Sequence, residues 1–216
     1  MQESKEECEV NIEIKNLTKC FGDVCLFKNL SFEITKNEMS CLFGKSGCGK
    51  TTLLNILGGI ENYDSGTIIY DGKTITKRRK IEYLSKEFGF IFQNFGLLDN
   101  ETVYDNFMII KKVRRKKNEE RDFIISTSLK KVGLEGFEKK VVCTLSGGEQ
   151  QRIAVAKIIA KDCNVIFADE PTASLDAGNK NIIMELLKSL KQQGKTIIIV
   201  THDLDIKNIS DKVIFL

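Results

Sequence analysis

The sequence predicts an α/β fold with a mostly parallel sheet, and three observations support this prediction. Short, near-continuous apolar runs recur along the chain, as is typical of strands that are buried on both faces of a sheet. Patterns with helical spacing separate these runs, and such alternation indicates strand–helix–strand units. A glycine-rich segment follows one run and leads into a helical pattern. The runs predict four buried strands, at residues 39–43, 88–92, 164–168 and 196–200.

The first part of the chain has a different pattern. Residues 10–19 alternate polar and apolar side chains, as expected for a strand with one face exposed to water. Residues 30–34 and 66–70 are similar. We therefore expect an antiparallel β layer at the N-terminal end of the fold.

A long helical region separates the second and third buried strands. Val103, Phe107 and Ile110 share one helical face between residues 101 and 160. We interpret approximately residues 94–160 as an α-helical subdomain inserted into the α/β core. Since the chain shows no linker and no internal repeat, we expect residues 1–216 to form a single domain.

The composition is typical of a soluble globular protein, with 42% hydrophobic residues, 29% charged residues and a net charge of +3. No apolar run approaches the roughly 20 residues of a transmembrane helix, and the first residues do not resemble a secretory signal. We therefore expect a cytoplasmic protein without a nucleic-acid partner. The basic stretch at 111–121 is interpreted as a solvated helix end or loop, with a nucleic-acid patch, which would lack interleaved aromatic residues, or contact to anionic lipid headgroups as the alternatives.

The cysteines are odd in number and scattered along the chain, which predicts free thiols in a reducing compartment. The seven are Cys8, Cys20, Cys25, Cys41, Cys48, Cys143 and Cys163.

Residues 44–51, GKSGCGKT, fit the phosphate-binding pattern G-x-x-x-x-G-K-[ST] in the strand-then-helix context that it requires. Its three glycines are predicted to adopt left-handed backbone angles that bring N–H groups close to phosphate oxygens. Lys50 is expected to reach the β- and γ-phosphates, and the Thr51 hydroxyl is suited to Mg²⁺. The predicted phosphate contacts are Gly44, Lys45, Ser46, Gly47, Cys48, Gly49, Lys50, Thr51 and Thr52.

Two carboxylates follow the apolar run at 165–168. Asp169 stands where a strand ends, a position from which a carboxylate can hold Mg²⁺. Glu170 faces a different direction and can polarise an attacking water. A helix start with acidic N-terminal residues is the alternative interpretation of this pair.

With LSGGEQQR at 145–152, the chain resembles the ATP-binding subunit of an ATP-binding cassette (ABC) transporter over essentially its whole length. The resemblance implies a P-loop NTPase core, with ATP and Mg²⁺ as cofactors. Residues 44–51 match the Walker A sequence and residues 165–170 match Walker B. Gln93 matches the Q-loop, residues 174–176 (SLD) match the D-loop, and His202 matches the switch histidine.

The resemblance also implies roles and partners. Two such domains would pair head to tail, either as two copies or with a homologous ATPase subunit, and act through a transmembrane permease at the inner face of the membrane. Glu170 would be the general base, His202 would contact the γ-phosphate, and Gln93 would contact Mg²⁺ and the attacking water. The implied contacts to the partner's ATP are Ser146, Gly147, Gly148 and Glu149, with Ser174 and Asp176 at the dimer seam. The implied metal ligands are Thr51, Gln93 and Asp169.

Two finer points concern the adenine of ATP and the transported cargo. Phe21 takes the place where the family usually stacks a tyrosine on adenine; a purely structural phenylalanine is the alternative. Residues 88–106 look most like the branch of lipoprotein, macrolide and antimicrobial-peptide exporters, although 169–176 read DEPTASLD where that branch often has DEPTGNLD. An ABC-type ATPase without transport, such as a cell-division ATPase with a membrane partner, is the alternative function.

Overall fold

The computed structural model describes residues 10–216, so Cys8 lies outside the described residues. The strands are β1 Val10–Phe21, β2 Val24–Thr35, β3 Met39–Phe43, β4 Ser65–Tyr70, β5 Lys73–Thr74, β6 Phe88–Ile91, β7 Val165–Asp169, β8 Thr196–Thr201 and β9 Lys212–Phe215. The helices are α1 Lys50–Leu57, α2 Lys77–Lys86, α3 Val103–Met108, α4 Lys111–Arg114, α5 Asn118–Lys131, α6 Gly147–Lys161, α7 Ala177–Gln192 and α8 Leu204–Ile209.

The central sheet is parallel and has the strand order β6-β7-β8-β3-β9. Every residue of β7 and of β8 is buried, as the near-continuous apolar runs predict. The prediction of a parallel sheet with four buried strands is confirmed. The edge strand β9, which is only half-buried, was not predicted.

The predicted antiparallel layer is also confirmed. It has the order β2-β1-β4-β5, with β1 paired antiparallel to β2 and to β4. Alternate residues of β1, such as Ile12 and Ile14, are buried, while Lys15 on the same strand is exposed. This layer therefore has one face on the core and one face toward water.

Two hydrophobic clusters cover the two faces of the parallel sheet. In β7, Phe167 belongs to the cluster that includes α1 and the antiparallel layer, and its neighbour Ile166 belongs to the cluster that includes α3, α5, α6 and α7. This alternation along one strand places α1 between the two sheets, since its Leu53 and Leu57 pack in the first cluster. The helices α3 to α6 all lie in the chain between β6 and β7.

The structure corrects the prediction for two of the seven cysteines. Cys20 and Cys25 form a disulfide bond, because they lie directly opposite each other on β1 and β2. The spacing of the cysteines along the chain does not show that the hairpin of β1 and β2 brings these two residues together. The other cysteines among residues 10–216 are free: Cys41, Cys48, Cys143 and Cys163.

The helices described between residues 10 and 216 are each too short or too polar to cross a lipid bilayer.

Candidate functional site

A cleft of about 470 Å³ lies where four neighbouring strands of the parallel sheet end. The segments that follow β3, β6, β7 and β8 meet here, since the carboxyl ends of parallel strands share one edge of the sheet. The hairpin of β1 and β2 closes one side. The cleft is lined by Phe21, Leu26, Ser46, Gly47, Gly49, Lys50, Thr51, Thr52, Gln93, Glu170 and His202. The fold therefore brings together residues that are up to 181 positions apart, from Phe21 to His202.

The glycine-rich loop forms the floor of this cleft. Gly47 and Gly49 have φ angles of +81° and +94°, as predicted, and Gly49 is the residue from which α1 begins. The prediction is wrong for Gly44, whose φ is not positive. A Cβ atom there would lie 2.8 Å from the Cys48 Sγ and 3.0 Å from the Leu216 carbonyl oxygen, so glycine is required by crowding. The loop and the α1 N-terminus together form an anion-binding arrangement of N–H groups.

Lys50 is held against the loop that precedes it. Its residue is only 7% exposed, and its Nζ donates hydrogen bonds of 2.8 Å to the carbonyl oxygens of Gly44 and Lys45. An ammonium group has three N–H donors, so one remains for an anion in the cleft. Lys45 itself is exposed, and neither Lys45 nor Cys48 lines the cleft.

Thr51 and Asp169 bring two hard oxygen ligands together. The Thr51 hydroxyl donates to the Asp169 carboxylate at 3.1 Å. Burial raises the pKa of Asp169, a change that the Thr51 hydrogen bond and the Lys50 charge oppose and that the Glu170 charge increases. Hydroxyl and carboxylate oxygens are the ligands that Mg²⁺ prefers, so these residues fit the ion. In the part of the chain that the structure describes, no three or more His, Cys, Asp or Glu side chains are grouped so that they could hold a metal ion. Phosphate or water oxygens would therefore complete a Mg²⁺ site at Thr51 and Asp169.

Glu170 is positioned by contacts on both of its carboxylate oxygens. Its Oε1 lies 2.8 Å from the His202 Nδ1, and its Oε2 accepts a 2.8 Å hydrogen bond from the Thr201 hydroxyl. The backbone N–H of Glu170 donates to the Val200 carbonyl at 2.9 Å, and its φ is +45°. The Glu170 side chain is 12% exposed and that of His202 is 66% exposed. The site thus contains a fixed carboxylate next to an accessible imidazole, an arrangement suited to orienting a water molecule.

The LSGG residues lie outside this cleft, at the start of α6. Ser146 and Glu149 form a capping box: the Glu149 carboxylate accepts from the Ser146 N–H and hydroxyl, at 2.8 Å each. The same contacts lower the pKa of Glu149. A Cβ on Gly148 would lie 2.4 Å from the Asn179 side chain, so a glycine is required there. The capping box shows that the Glu149 carboxylate stabilises the start of its own helix, α6.

The D-loop residues also lie outside the cleft. Ser174 is exposed, and Asp176 caps α7 by accepting a 2.9 Å hydrogen bond from the Asn179 N–H. The Asn179 side chain accepts from Arg152 of α6 and donates to the Asp176 carboxylate. The next residue, Lys180, donates to Asp203 and Asp205 beside the switch histidine. The first turn of α7 thus contacts both α6 and the segment that follows β8 and carries His202.

Sequence reasoning did not identify Thr201, Arg152, Asn179 or Lys180. Each of them forms a side-chain hydrogen bond with a residue more than 20 positions away in the sequence. Asn179 also bonds to Asp176, which is only three positions away. Only that last contact leaves a signal in the sequence, because Asp and Asn three residues apart are typical of a helix start.

Comparisons with known proteins identify the family. The family model described as ABC transporter matches residues 27–173. The phosphonates import ATP-binding protein PhnC of Fusobacterium nucleatum is 37% identical over 223 residues, covering 96% of this chain and 89% of that protein. The macrolide export ATP-binding/permease protein MacB of Mannheimia succiniciproducens is 38% identical over 210 residues, covering 94% of this chain and 33% of that protein.

The chain spans 33%, 65% and 58% of the length of three of the curated relatives that it matches. Among solved structures, the dimeric bacterial ABC transporter cassette MJ0796 has a TM-score of 0.86 and 32% identity, covering 95% of this chain and 94% of that one. A dimeric post-hydrolysis state of the MJ0796 cassette, bound to ADP and phosphate, has a TM-score of 0.85 at the same identity. The chain belongs to the ABC transporter family, as an ATP-binding domain of the kind that hydrolyses ATP with Mg²⁺ as the cofactor.

Proposed function

We propose that the chain is the ATP-hydrolysing motor subunit of a membrane exporter for peptide, lipoprotein or drug-like cargo. The observation that carries the motor function is the cleft, which is lined by the phosphate loop, by Thr51 and by the Glu170–His202 pair, with Asp169 bonded to Thr51 behind the lining. Together these provide anion binding, metal ligands and a candidate base within one space.

Each residue of the cleft has a proposed part in the reaction. The loop N–H groups and the remaining donor of Lys50 bind the phosphates and stabilise the charge of the transferring group. Thr51, Asp169 and Gln93 would hold Mg²⁺, which supplies neutralisation of phosphate charge when bound.

The Glu170 carboxylate is proposed to accept a proton from the attacking water. The Thr201 hydrogen bond and the His202 contact fix the direction in which its oxygens point. Because the His202 Nδ1 faces Glu170, the other ring nitrogen is left to contact the γ-phosphate.

A second ATPase domain is proposed to complete the site. Ser146, Gly147 and Gly148 lie at a helix start outside the chain's own cleft, and in this proposal they bind an anion on another chain. The relative cassette MJ0796 is dimeric. We propose a head-to-tail dimer, formed by two copies or by a copy and a homologous subunit, with Ser174 and Asp176 at the seam.

The proposed membrane partner is a separate permease, which would hold the chain at the inner face of the cell membrane. Support comes from the ABC transporter family and from relatives such as MacB, whose name includes a permease. The export direction rests on residues 88–106 and on MacB. Relatives named for import of methionine, spermidine/putrescine and phosphonates have similar identities of 36–38%, so direction needs its own experiment.

The motor function is tested by ATPase assay of the purified chain. The Lys50→Ala variant is expected to lose at least about 100-fold in turnover, because it removes charge stabilisation of the transferring phosphoryl group. Lys130→Ala is the matched control, since Lys130 is an exposed lysine whose ion-pair partner is the exposed Glu135. Unchanged turnover of Lys50→Ala, with contaminating ATPases excluded, would contradict the site assignment.

The export proposal is tested in cells that express the chain together with the membrane protein with which it co-purifies. Wild-type chain, but not Lys50→Ala, should raise resistance to a panel of macrolides and cationic peptides. ATP-driven accumulation of the same compounds in inside-out vesicles should accompany it. Unchanged resistance together with filamentous growth on depletion would favour the cell-division alternative.

A further inference from the structure

The turn between β1 and β2 is a covalently closed loop. Cys20 pairs with Cys25 and Phe21 with Val24 across the hairpin, and the disulfide joins the two cysteines. Gly22 has a φ of +56°, as the first central residue of a two-residue hairpin turn requires. Phe21 therefore lies within a six-residue ring of chain, residues 20–25.

The two residues that the hairpin contributes to the cleft flank the disulfide directly. Phe21 follows Cys20, and Leu26 follows Cys25; both line the cleft. The Phe21 ring is 53% exposed and lies 4.4 Å below the Lys19 ammonium. Leu26 contacts the phosphate loop, since a Cβ on Gly49 would be 3.2 Å from the Leu26 Cδ1. The cross-link therefore closes the turn that carries Phe21, whereas Leu26, which lies beside Gly49 of the phosphate loop, is outside the ring.

The surroundings make this pair more accessible than two of the free thiols. Burial raises the pKa values of Cys41 and Cys163 to about 11, which suppresses the reactive thiolate of each. Cys20 and Cys25 are half-buried and border an exposed turn, residues 21–24. Each also has a second thiol directly opposite, and a resolving partner of this kind is what reversible oxidation requires.

We propose that Cys20 and Cys25 are a reversible thiol–disulfide modification site that sets the affinity of the cleft for the adenine end of ATP. The proposal rests on the proposed function, the binding of ATP in the cleft, and it adds that the exposed Phe21 ring in the cleft lining contacts the base of the bound ATP. In a reducing compartment the resting form is the dithiol, and a low-molecular-weight disulfide such as oxidised glutathione converts it to the form seen in the structure.

The exchange is balanced. One cysteine thiolate attacks a sulfur of glutathione disulfide, whose S–S bond breaks to release one glutathione thiolate and leave a mixed disulfide. The second cysteine thiolate attacks the protein sulfur and releases the second glutathione. Two electrons pass from the cysteines to the glutathione disulfide, and the two thiol protons end on the two glutathione molecules.

The consequence for binding follows from preorganisation. With the disulfide formed, Phe21 is held within the closed turn before ATP arrives. In the dithiol form only the hairpin hydrogen bonds hold the turn, so part of the binding free energy is used to order it. The phosphate loop is not part of the ring, and its contacts should be unaffected.

The test uses the full chain, equilibrated with oxidised or reduced glutathione. Calorimetry would measure the dissociation constants of MgATP and of Mg²⁺ with inorganic tripolyphosphate, which lacks the base. We expect reduction to weaken ATP binding by about threefold to tenfold and to leave tripolyphosphate binding unchanged. Mass spectrometry after thiol alkylation would verify that Cys20 and Cys25 are the residues that change.

Variants separate the pair from the other thiols. Cys20→Ser with Cys25→Ser should bind ATP like the reduced chain and show no response to glutathione. Cys143→Ser, which removes an exposed free thiol, should keep the full response.

Three results would overturn the proposal: no disulfide under oxidised glutathione, equal ATP affinity in both forms, or an equal change for tripolyphosphate. The wild-type comparison needs no variant to fold. Absence of ATP binding in both forms would instead contradict the proposed function.

Discussion

At the scale of single residues, Glu170 combines an uncommon backbone conformation with directed side-chain contacts. A φ of +45° in a non-glycine residue costs about 1–2 kcal/mol. The N–H bond to Val200 and the contacts of both oxygens with His202 and Thr201 hold it there. The contacts that offset this strain also fix the carboxylate at the cleft, which is consistent with strain that serves a functional geometry.

The first prediction concerns the charge of Glu170. Replacing it by glutamine keeps the size and removes the base, so we expect ATP binding to persist and turnover to fall by about 100-fold to 10,000-fold. Phosphate release and equilibrium ATP binding would be measured side by side. Glu185→Gln, an exposed residue of α7, is the control and should hydrolyse like wild type. Wild-type turnover of Glu170→Gln would show that Glu170 is not the base.

The second prediction concerns Lys157 of α6, whose pKa burial lowers to about 8. The unfolded chain binds this proton more tightly than the native chain, so the cost of the buried charge is fully present below pH 8. That cost disappears as the pH rises from about 8 to 10.5, the usual lysine value. Lys157→Met should therefore raise the melting temperature by about 2–5 °C at pH 7, with a shrinking gain above pH 8.

Calorimetric scans at several pH values would check this. Lys157 donates a 3.2 Å hydrogen bond to the Gly96 carbonyl, and its loss reduces the expected gain. Lys130→Met, at an exposed position, should change the melting temperature little at any of these pH values. A Lys157→Met gain that increases above pH 8 would show that the sign is wrong.

At the scale of secondary-structure elements, the first turn of α7 connects two functional segments. Asn179 contacts Arg152 and Gly148 of α6, and Lys180 pairs with Asp203 at 2.8 Å and with Asp205 at 2.6 Å. These ion pairs and hydrogen bonds raise the pKa of Lys180. The segment that carries His202 is thereby attached to α7, in addition to the strand that precedes it.

The third prediction tests this attachment. Lys180→Met removes both ion pairs and frees the segment after β8, so turnover should fall by about threefold to tenfold while the dissociation constant of ATP stays nearly constant. Lys188→Met is the control on the same helix, where the lysine pairs with the exposed Glu185. Steady-state kinetics together with calorimetric binding would separate the two effects. Equal losses in the two variants would mean that the Lys180 contacts have no part in positioning.

The strength of the local pattern decides which elements could be predicted. The four predicted strands of the parallel sheet were identifiable because burial on both faces requires continuous apolar residues, as in the fully buried β8. In contrast, α2 and β9 were missed: α2 is a strongly polar helix with few apolar side chains, and β9 is a short strand that is only half-buried.

The site was predictable to the extent that its residues lie next to one another in sequence. The phosphate loop and the Asp169–Glu170 pair are contiguous, so their chemistry is visible without a fold. The disulfide of Cys20 and Cys25 and the Thr201 contact to Glu170 depend on strand pairing, which single residues do not reveal.

At the scale of the whole molecule, the cleft and the start of α6, which are the two proposed sites of phosphate contact, lie in separate places on the chain. The cleft is built from the ends of the parallel strands, and Ser146 lies at the start of α6, outside it. A domain with this arrangement can use both contact sites at once only when a second domain supplies the complementary half.

The fourth prediction follows from that arrangement. Lys50→Ala damages the cleft and Ser146→Arg damages the start of α6, so each variant alone should be inactive. When the two are mixed, heterodimers contain one site with both changes and one intact site. We expect part of the wild-type ATPase activity to return, provided that subunits exchange and one site suffices.

Ser146 also caps α6, and losing a cap costs about 1 kcal/mol. Ser146→Thr keeps the capping hydroxyl and should remain active, and melting curves would confirm that Ser146→Arg is folded. No recovery on mixing, with heterodimers demonstrated by native mass spectrometry, would contradict a site shared between chains.

The contact between Gly44 and Leu216 has a practical consequence for handling the protein. The Leu216 N–H donates to the Phe43 carbonyl at 3.0 Å, and the Leu216 carbonyl oxygen crowds the first glycine of the phosphate loop. Anything attached after Leu216 therefore departs from directly behind that loop. A bulky tag attached directly after Leu216 is therefore expected to disturb the loop, whereas a small environment-sensitive dye coupled there would report nucleotide binding by its fluorescence.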